Sequence, residues 1–312
     1  MKTKIAFVLL RTLGDVVLGN TLVKEIKRTY PDSHLTWFVN AEYAELVRYN
    51  PLVDKVRYPS GWDEVLIAIS SDFDIVMLPY QTTPEDNAWH QVDKHRHQHL
   101  LDFYAKRCGI TIQDRKLYAY PQTNAWKYEP KDRTIALHST TLVTSKNWQG
   151  LPELVTMLRA DGYRTVQVGS TSDVVLKEVD EDLRGRMDLS ELTNYLSKCT
   201  AMIGMDSGLS YVAAATGIPT FVIQGPTIPL TSGPFGTNVT NILSETREEC
   251  QDRRCHGNCA FAKEEPNGSC INRLTVERAV SIVNATLTGQ LGSEHEAEVV
   301  PLNTEASEKV TE

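Results

Sequence analysis

The sequence contains no apolar run near the roughly 18 residues needed to cross a bilayer, no excess of positive charge and no short-period repeat. The first absence excludes an integral membrane helix. The segment Ile5–Leu10 is apolar but too short for a secretory core, and Arg11 follows it at once, so the expectation is a cytoplasmic protein. A lipid-linked substrate would then be met peripherally, at the inner membrane face. Lys plus Arg number 32 against 40 Asp plus Glu, a net charge of −8, which argues against broad charge-driven binding of nucleic acid and leaves only a local basic groove open. Cysteine is scarce outside one segment: four of the six fall between 250 and 270, a crowding more typical of a metal site than of a secreted disulfide framework.

What is present is an alternation of strands and helices. Hydrophobic residues make up 41% of 312 residues, enough for one large or two ordinary cores. The stretch from Ala201 to Thr227 is the clearest unit. Ala201–Met205 reads as a buried strand, and Asp206-Ser207-Gly208 as a polar turn with capping side chains. Leu209, Val212, Ala213 and Ala215 form a helix face, Gly217 and Pro219 end the helix, and Phe221-Val222-Ile223 begins the next strand. Amides at such a helix start suit an anionic group, phosphate above all; the plainer reading makes Asp206 an N-cap and Gly208 a tight turn.

The same pattern opens the chain. Lys4–Leu10 is a strand, Arg11–Asp15 a turn, and Leu18, Leu22, Val23 and Ile26 recur at helical spacing. Leu35–Val39, a short helix at Ala41–Val47, Asp74–Pro79 and a strand at Leu117–Tyr120 complete a first half. The polar segment from Thr82 to Gly109 carries His90, His95, His97 and His99. It reads as a helix with Val92, Leu100, Leu101 and Phe103 inward and its histidines solvated or at a cleft rim, though a His95–His99 metal pair is one helical turn apart. Asp72-Phe73-Asp74 imitates a metal-binding DxD but runs into an apolar strand, which makes it a strand edge. Pro121–Arg133 reads as a linker.

Strands at Thr134–His138 and Thr165–Gly169, a helix around Leu154–Leu158 and a capped helix from Asp188 to Lys198 lead to the Ala201 unit. The expected fold class is therefore α/β: two doubly wound, Rossmann-like domains facing a central cleft, with ligands at the carboxyl ends of the strands. Residues 1–128 form the first, 129–288 the second with a cysteine-rich insert at 250–270, and 289–312 an acidic tail without periodicity that reads as disordered. Cys250, Cys255, Cys259 and Cys270, followed by a helix at Thr275–Leu287, suit structural zinc or iron, two disulfides, or free thiols; none of these is catalytic.

Several segments together resemble glycosyltransferase family 9, the lipopolysaccharide heptosyltransferase family of the GT-B fold. They are Arg11-Thr12-Leu13-Gly14-Asp15-Val16-Val17, Asn50-Pro51-Leu52-Val53-Asp54-Lys55-Val56, Lys146-Asn147-Trp148, Asp188-Leu189-Ser190-Glu191-Leu192, Gly204-Met205-Asp206-Ser207-Gly208-Leu209 and Gln224-Gly225-Pro226-Thr227. They keep the family's order and cover most of residues 1–285. The resemblance implies an inverting transfer from a nucleotide-diphosphate sugar, ADP-heptose by family default, to a hydroxyl acceptor such as lipopolysaccharide core, with no metal required for catalysis. It implies that Asp15 is the general base, against its plainer role as a cap of the first helix. Lys146 would bind donor phosphates, Asp206 would contact the sugar or orient the phosphate loop, and Ser207, Gly208 and Leu209 would offer amides. Thr227 would add a hydroxyl, and Arg11 and Gly14 would contact acceptor or phosphate. Many members carry histidine where this chain has Tyr211, which puts that donor contact, and heptose itself, in question. Some relatives glycosylate proteins and hold iron at cysteines in this region. The same fold acting on protein or a nucleic-acid base, and a non-catalytic sugar-nucleotide or partner-binding protein, are the competing readings.

Overall fold

The computed structural model describes residues 2–70, 72–80, 98–122, 127–244 and 270–289. Strand β1 (Lys4–Val8) is apolar and buried from Ile5 onward, which suits the middle of a parallel sheet covered on both faces. It leads through a short turn into α1 (Leu13–Thr29), then β2 (His34–Phe38), a 3-10 turn at Ala41–Leu46, β3 (Lys55–Arg57), α2 (Trp62–Ile69) and β4 (Ile75–Met77). The four strands run parallel in the order β3-β2-β1-β4, with Ala6 opposite Thr36 on one side and Val76 on the other. Helix α3 (Leu100–Cys108) closes this half, and Gly109, at φ 64°, ends it in the left-handed conformation that glycine adopts without steric cost.

The second half repeats the scheme with β5 (Thr134–His138), α4 (Leu151–Ala160), β6 (Arg164–Gln167), β7 (Glu181–Asp182), α5 (Leu189–Ser197), β8 (Ala201–Met205), α6 (Gly208–Thr216), β9 (Thr220–Ile223), a single turn α7 (Pro229–Ser232) and β10 (Val239–Ile242). Its six strands are parallel in the order β10-β9-β8-β5-β6-β7. Helix α8 (Val276–Leu287) packs back on this sheet beside α4, with Leu154, Leu158, Ile282 and Val283 in one cluster. Two separate parallel sheets, each wound with helices, are the architecture expected of the GT-B fold. Among the described residues no helix is long and apolar enough to cross a membrane.

One hydrophobic cluster joins the halves. It runs from Leu18 and Leu22 of α1 and Tyr104 of α3 to Tyr195 of α5 and Leu209 and Val212 of α6. The halves are in tight contact where α1 and α6 begin. A Cβ at Gly208 would lie 2.6 Å from Leu13 Cβ and 3.1 Å from the Gly14 nitrogen, and one at Gly14 would lie 3.0 Å from the Tyr211 ring. The two helix starts, each at the carboxyl end of its own strand, therefore meet with no room for side chains between them.

Three expectations change. Leu117–Tyr120 is not a strand: the carbonyls of Lys116 and Tyr118 accept from Thr21 and Asn20 on α1, so helix side chains satisfy backbone groups that a sheet partner would otherwise take. The helix of the histidine segment begins at Leu100, and Val92 with His90, His95 and His97 lies outside the described residues. His99 is not solvated: it is the buried N-cap of α3, its Nδ1 accepting from Leu101 N at 3.1 Å and its Nε2 lying 2.9 Å from the Gly233 carbonyl of the other half. With both nitrogens engaged, His99 is not available as half of a metal pair. Burial, reinforced by the Arg115 charge, pushes its imidazole down to about 4, so the ring is neutral.

The remaining segments behave as scaffold. Asn50 donates to Asn20, and its oxygen accepts from Leu52 N. Asp54 accepts from Leu35 N and Lys27, fixing the entry to β3. Asp188 and Glu191 form a reciprocal capping box on α5. Asp74 takes the Lys4 amide at 2.8 Å, the strand-edge role expected of it.

Candidate active site

Asp15 sits in the first turn of α1 and is buried. Its Oδ2 accepts from the Thr12 amide at 3.1 Å and the Thr12 hydroxyl at 2.7 Å, and its Oδ1 from the Tyr104 hydroxyl at 2.6 Å. Thr12 is the N-cap of the helix; Asp15 stands three residues on and reaches back to it. Oδ1 keeps a lone pair beyond its Tyr104 bond, so the carboxylate can still accept from an incoming hydroxyl. Tyr104 is buried, and burial together with the Asp15 charge raises its phenol well above the ordinary value, which keeps it a protonated donor. Arg11 lies over the Tyr80 ring at 3.9 Å with its Nε 3.9 Å from Asp15 Oδ2; that buried Nε–H has no acceptor among the described residues.

Lys146 belongs to the loop after β5. Its position follows from the residues beside it. Asn147 clamps the loop, its Oδ1 accepting from Thr141 N at 2.7 Å and its Nδ2 donating to Thr141 O at 3.2 Å. Trp148 is buried and donates to the Leu274 carbonyl at 3.1 Å, and Gly150 leaves room for its ring. Lys146 Nζ donates to Asp206 Oδ2 at 2.7 Å, and the Thr227 hydroxyl donates to the same oxygen. Asp206 is thus not the N-cap of α6. That position falls to Ser207, whose hydroxyl engages His138 rather than its own helix. The first amides of α6, from Gly208 and Leu209, consequently have no side-chain cap, a start of the kind that favours anions. The Ser145 hydroxyl next to Lys146 is also buried without a partner among the described residues.

Tyr211, where the resemblance implies histidine in many members, is buried at the junction of the halves. Its ring lies against Gly14, and its hydroxyl donates to the Ser232 carbonyl. Burial raises this phenol far above its ordinary value, and the bond turns it toward the backbone of the α7 turn. Gly14 is required for this contact. Of the four clustered cysteines, Cys250, Cys255 and Cys259 lie outside the described residues. Cys270 is buried at the start of a short 3-10 turn, whose Ile271 packs beneath Gly225. Among the described residues no group of three or more His, Cys, Asp or Glu side chains is placed to hold a metal ion.

The structure therefore brings Asp15, Gly14 and Arg11 of the first half to the start of α1, and Lys146, Asp206, Ser207, Gly208, Leu209 and Thr227 of the second half to the start of α6, where the two helices touch. Sequence reasoning missed Tyr104, His138 and Asp173. Tyr104 lies 89 positions from its partner and carries no local signal. His138 had a weak one, standing at the carboxyl end of β5, whereas Asp173 lies well into the loop after β6.

The family model for glycosyltransferase family 9 (heptosyltransferase) matches residues 74–260. Lipooligosaccharide heptosyltransferase 2 of Haemophilus influenzae is 32% identical over 102 residues, a match spanning 29% of this chain and 30% of that protein's length. Lipopolysaccharide core heptosyltransferase OpsX of the same organism is 21% identical over 296 residues, covering 78% of this chain and 84% of the relative. The solved structure of the E. coli ADP-heptose lps heptosyltransferase II superposes with a TM-score of 0.68 at 15% identity, over 93% of this chain and 100% of that one, a likeness that speaks to the fold.

Proposed function

The chain belongs to glycosyltransferase family 9, and on that footing we propose that it is an inverting transferase moving a sugar from ADP-heptose to a hydroxyl of a lipopolysaccharide core acceptor. The observation that carries this reading is the meeting of the α1 and α6 starts. It sets a buried carboxylate with a spare lone pair beside a helix start that has no side-chain cap and is flanked by a lysine.

In this reading the donor diphosphate lies at the amides of Gly208 and Leu209, and Lys146 turns part of its charge from Asp206 to the phosphates. Asp15 accepts the proton of the acceptor hydroxyl while that oxygen bonds to the anomeric carbon from the face opposite the diphosphate. The bond to the diphosphate breaks on the other side, which inverts the centre. The negative charge left on the leaving group is stabilised by the Lys146 ammonium, the helix-start amides and the Thr227 hydroxyl. Tyr104 and Thr12 hold Asp15 in place. Asp206 restrains the Lys146 side chain in the absence of ligand. Arg11 adds a cation beside Asp15 for an anionic acceptor. The four cysteines take no part in these steps.

Calorimetric titration with ADP, UDP, GDP and CDP, with and without magnesium, tests the donor. Selective ADP binding that is independent of magnesium is the expected result. Selectivity for another base would remove ADP-heptose and keep the phosphate site, and no binding of any of the four would leave a non-catalytic reading.

A further inference from the structure

At the carboxyl end of β5 the His138 ring is held between two loops. Its Nδ1 lies 3.1 Å from Ser207 Oγ and its Nε2 3.4 Å from Asp173 Oδ2, and the side chain is 93% removed from solvent, with a relative exposure of 7%. Two glycines make the room: a Cβ at Gly169 would lie 2.1 Å from Asp173 Oδ2 and 3.0 Å from His138 Cδ2, and one at Gly204 3.2 Å from His138 Cβ. Asp173 is itself fixed, its Oδ2 accepting from Ser170 N at 2.8 Å and its carbonyl from Arg184. β8 contributes Gly204 and no charge. Among the described residues the charged groups around the ring are thus Asp173 with Arg184 behind it, and the Lys146–Asp206 pair, whose Asp206 adjoins Ser207.

The carboxylate biases the ring's tautomer. Asp173 Oδ2, an acceptor only, lies 3.4 Å from Nε2 and favours hydrogen on that nitrogen electrostatically, short of a formed hydrogen bond. In the neutral ring Nδ1 is then an acceptor, and the Ser207 hydroxyl spends its one hydrogen on it. When Nδ1 is protonated as well, it donates to Ser207 Oγ, and the hydroxyl hydrogen is released to point elsewhere. Ser207 stands immediately before α6 and does not cap it, so the released hydrogen becomes available where the helix amides face an anion.

We infer that His138, oriented by Asp173, is a positioning residue that makes diphosphate binding at α6 proton-linked: the bound diphosphate draws a proton from solvent onto His138, and Ser207 changes from donor to the ring into donor to the phosphate. The inference rests on the donor site proposed above and is independent of Asp15. The proton arrives from bulk water at Nδ1, and Nε2 keeps its own.

The test is isothermal titration of the full-length protein with ADP-glucose and with UDP-glucose. Both are diphosphate diesters without a phosphate group that titrates near neutrality, so the ligand itself neither takes up nor releases a proton. Binding is measured in buffers of different ionisation enthalpy from about pH 6 to about pH 8. Net proton uptake is expected for the wild type, with affinity falling as pH rises by up to about tenfold per unit, the limit for one linked proton. His138→Gln and Ser207→Ala are expected to bind without uptake and without that slope. Ser207→Ala keeps the ring and its carboxylate, so it carries the test if His138→Gln does not fold. A merely structural histidine would change affinity or stability and leave the proton count as it was. Binding by the wild type with no uptake, or uptake that survives in both variants, overturns the inference and leaves the donor site standing. Failure of the wild type to bind either sugar nucleotide overturns the donor site and the inference with it.

Discussion

Replacing Gly208 by alanine tests whether the two helix starts must stay in register. The added Cβ would lie 2.6 Å from Leu13 Cβ, 2.9 Å from Leu13 Cγ and 3.1 Å from the Gly14 nitrogen. Carbon atoms pack at about 3.5–4.0 Å, so the contact must open by about 1 Å. Leu13 Cβ is fixed to the backbone, so no rotamer relieves it. Overpacking of this kind costs about 1–3 kcal/mol, a melting temperature lower by a few degrees. The functional effect should be larger. The Thr12–Asp15–Tyr104 bonds lie within one half and the Lys146–Asp206–Thr227 bonds within the other, so each group survives while the distance between them grows. A displacement of about 1 Å between reacting groups costs on the order of a hundredfold in rate. Transferase assays should therefore show kcat about 100-fold lower, with nucleotide affinity within about threefold of wild type. Gly217→Ala is the control: at φ 89° it strains the other end of α6 with nothing within 4 Å, and should lower stability without lowering kcat. A Gly208→Ala enzyme that melts lower yet turns over at the wild-type rate would show that the register of the two helix starts does not govern the reaction.

Two further outcomes are expected. Lys146→Met removes a charge-assisted contact worth about 1.5–3 kcal/mol, so ADP affinity should fall about 10- to 150-fold by calorimetry. It also leaves Asp206 buried without its cation, so the variant should be less stable to urea, and Asp206→Asn added to it should restore stability without restoring affinity. The His99 imidazole, lowered from 6.5 to about 4 in the fold, is neutral there but charges in the unfolded chain, which therefore binds the extra proton. Its contribution to stability is complete above pH 6.5 and is lost as pH falls toward 4, at up to about 1.4 kcal/mol per unit. Urea unfolding at pH 7.5 and 5.0 should show this loss in the wild type and a smaller one in His99→Asn; equal losses would contradict it.

Much of the fold was legible because it is written in local signals. The apolar run of β1, the Asp188–Glu191 capping box and Gly217 at the end of α6 each announce their element within a few residues. The 117–120 segment was misread because its extended backbone is satisfied by Asn20 and Thr21, nearly a hundred positions earlier, which no local pattern reveals. The site divides in the same way. Asp15 and Asp206 stand in motifs just past strand ends, whereas Lys146 lies in a loop and is marked only by the family resemblance of Lys146-Asn147-Trp148. The partner of Asp15 depends on how α3 packs against α1, and the pairing of Lys146 with Asp206 and the His138–Ser207–Asp173 contacts on which loops the sheet order β8-β5-β6 sets side by side. Tyr211 shows the limit of reading by position: its phenol serves the junction between the halves, a role set by the Ser232 carbonyl and the bare Gly14 it meets.

A base at Asp15 acting on a donor site assembled by the other half separates turnover from nucleotide binding in one variant. Wild type and Asp15→Asn are compared for transfer from ADP-heptose to a lipopolysaccharide core acceptor, with ADP affinity measured on the same preparations. Transfer by the wild type is expected, with a loss of about 10²- to 10⁴-fold in kcat for the variant and ADP affinity within about threefold. Turnover by Asp15→Asn at the wild-type rate would contradict a base at Asp15.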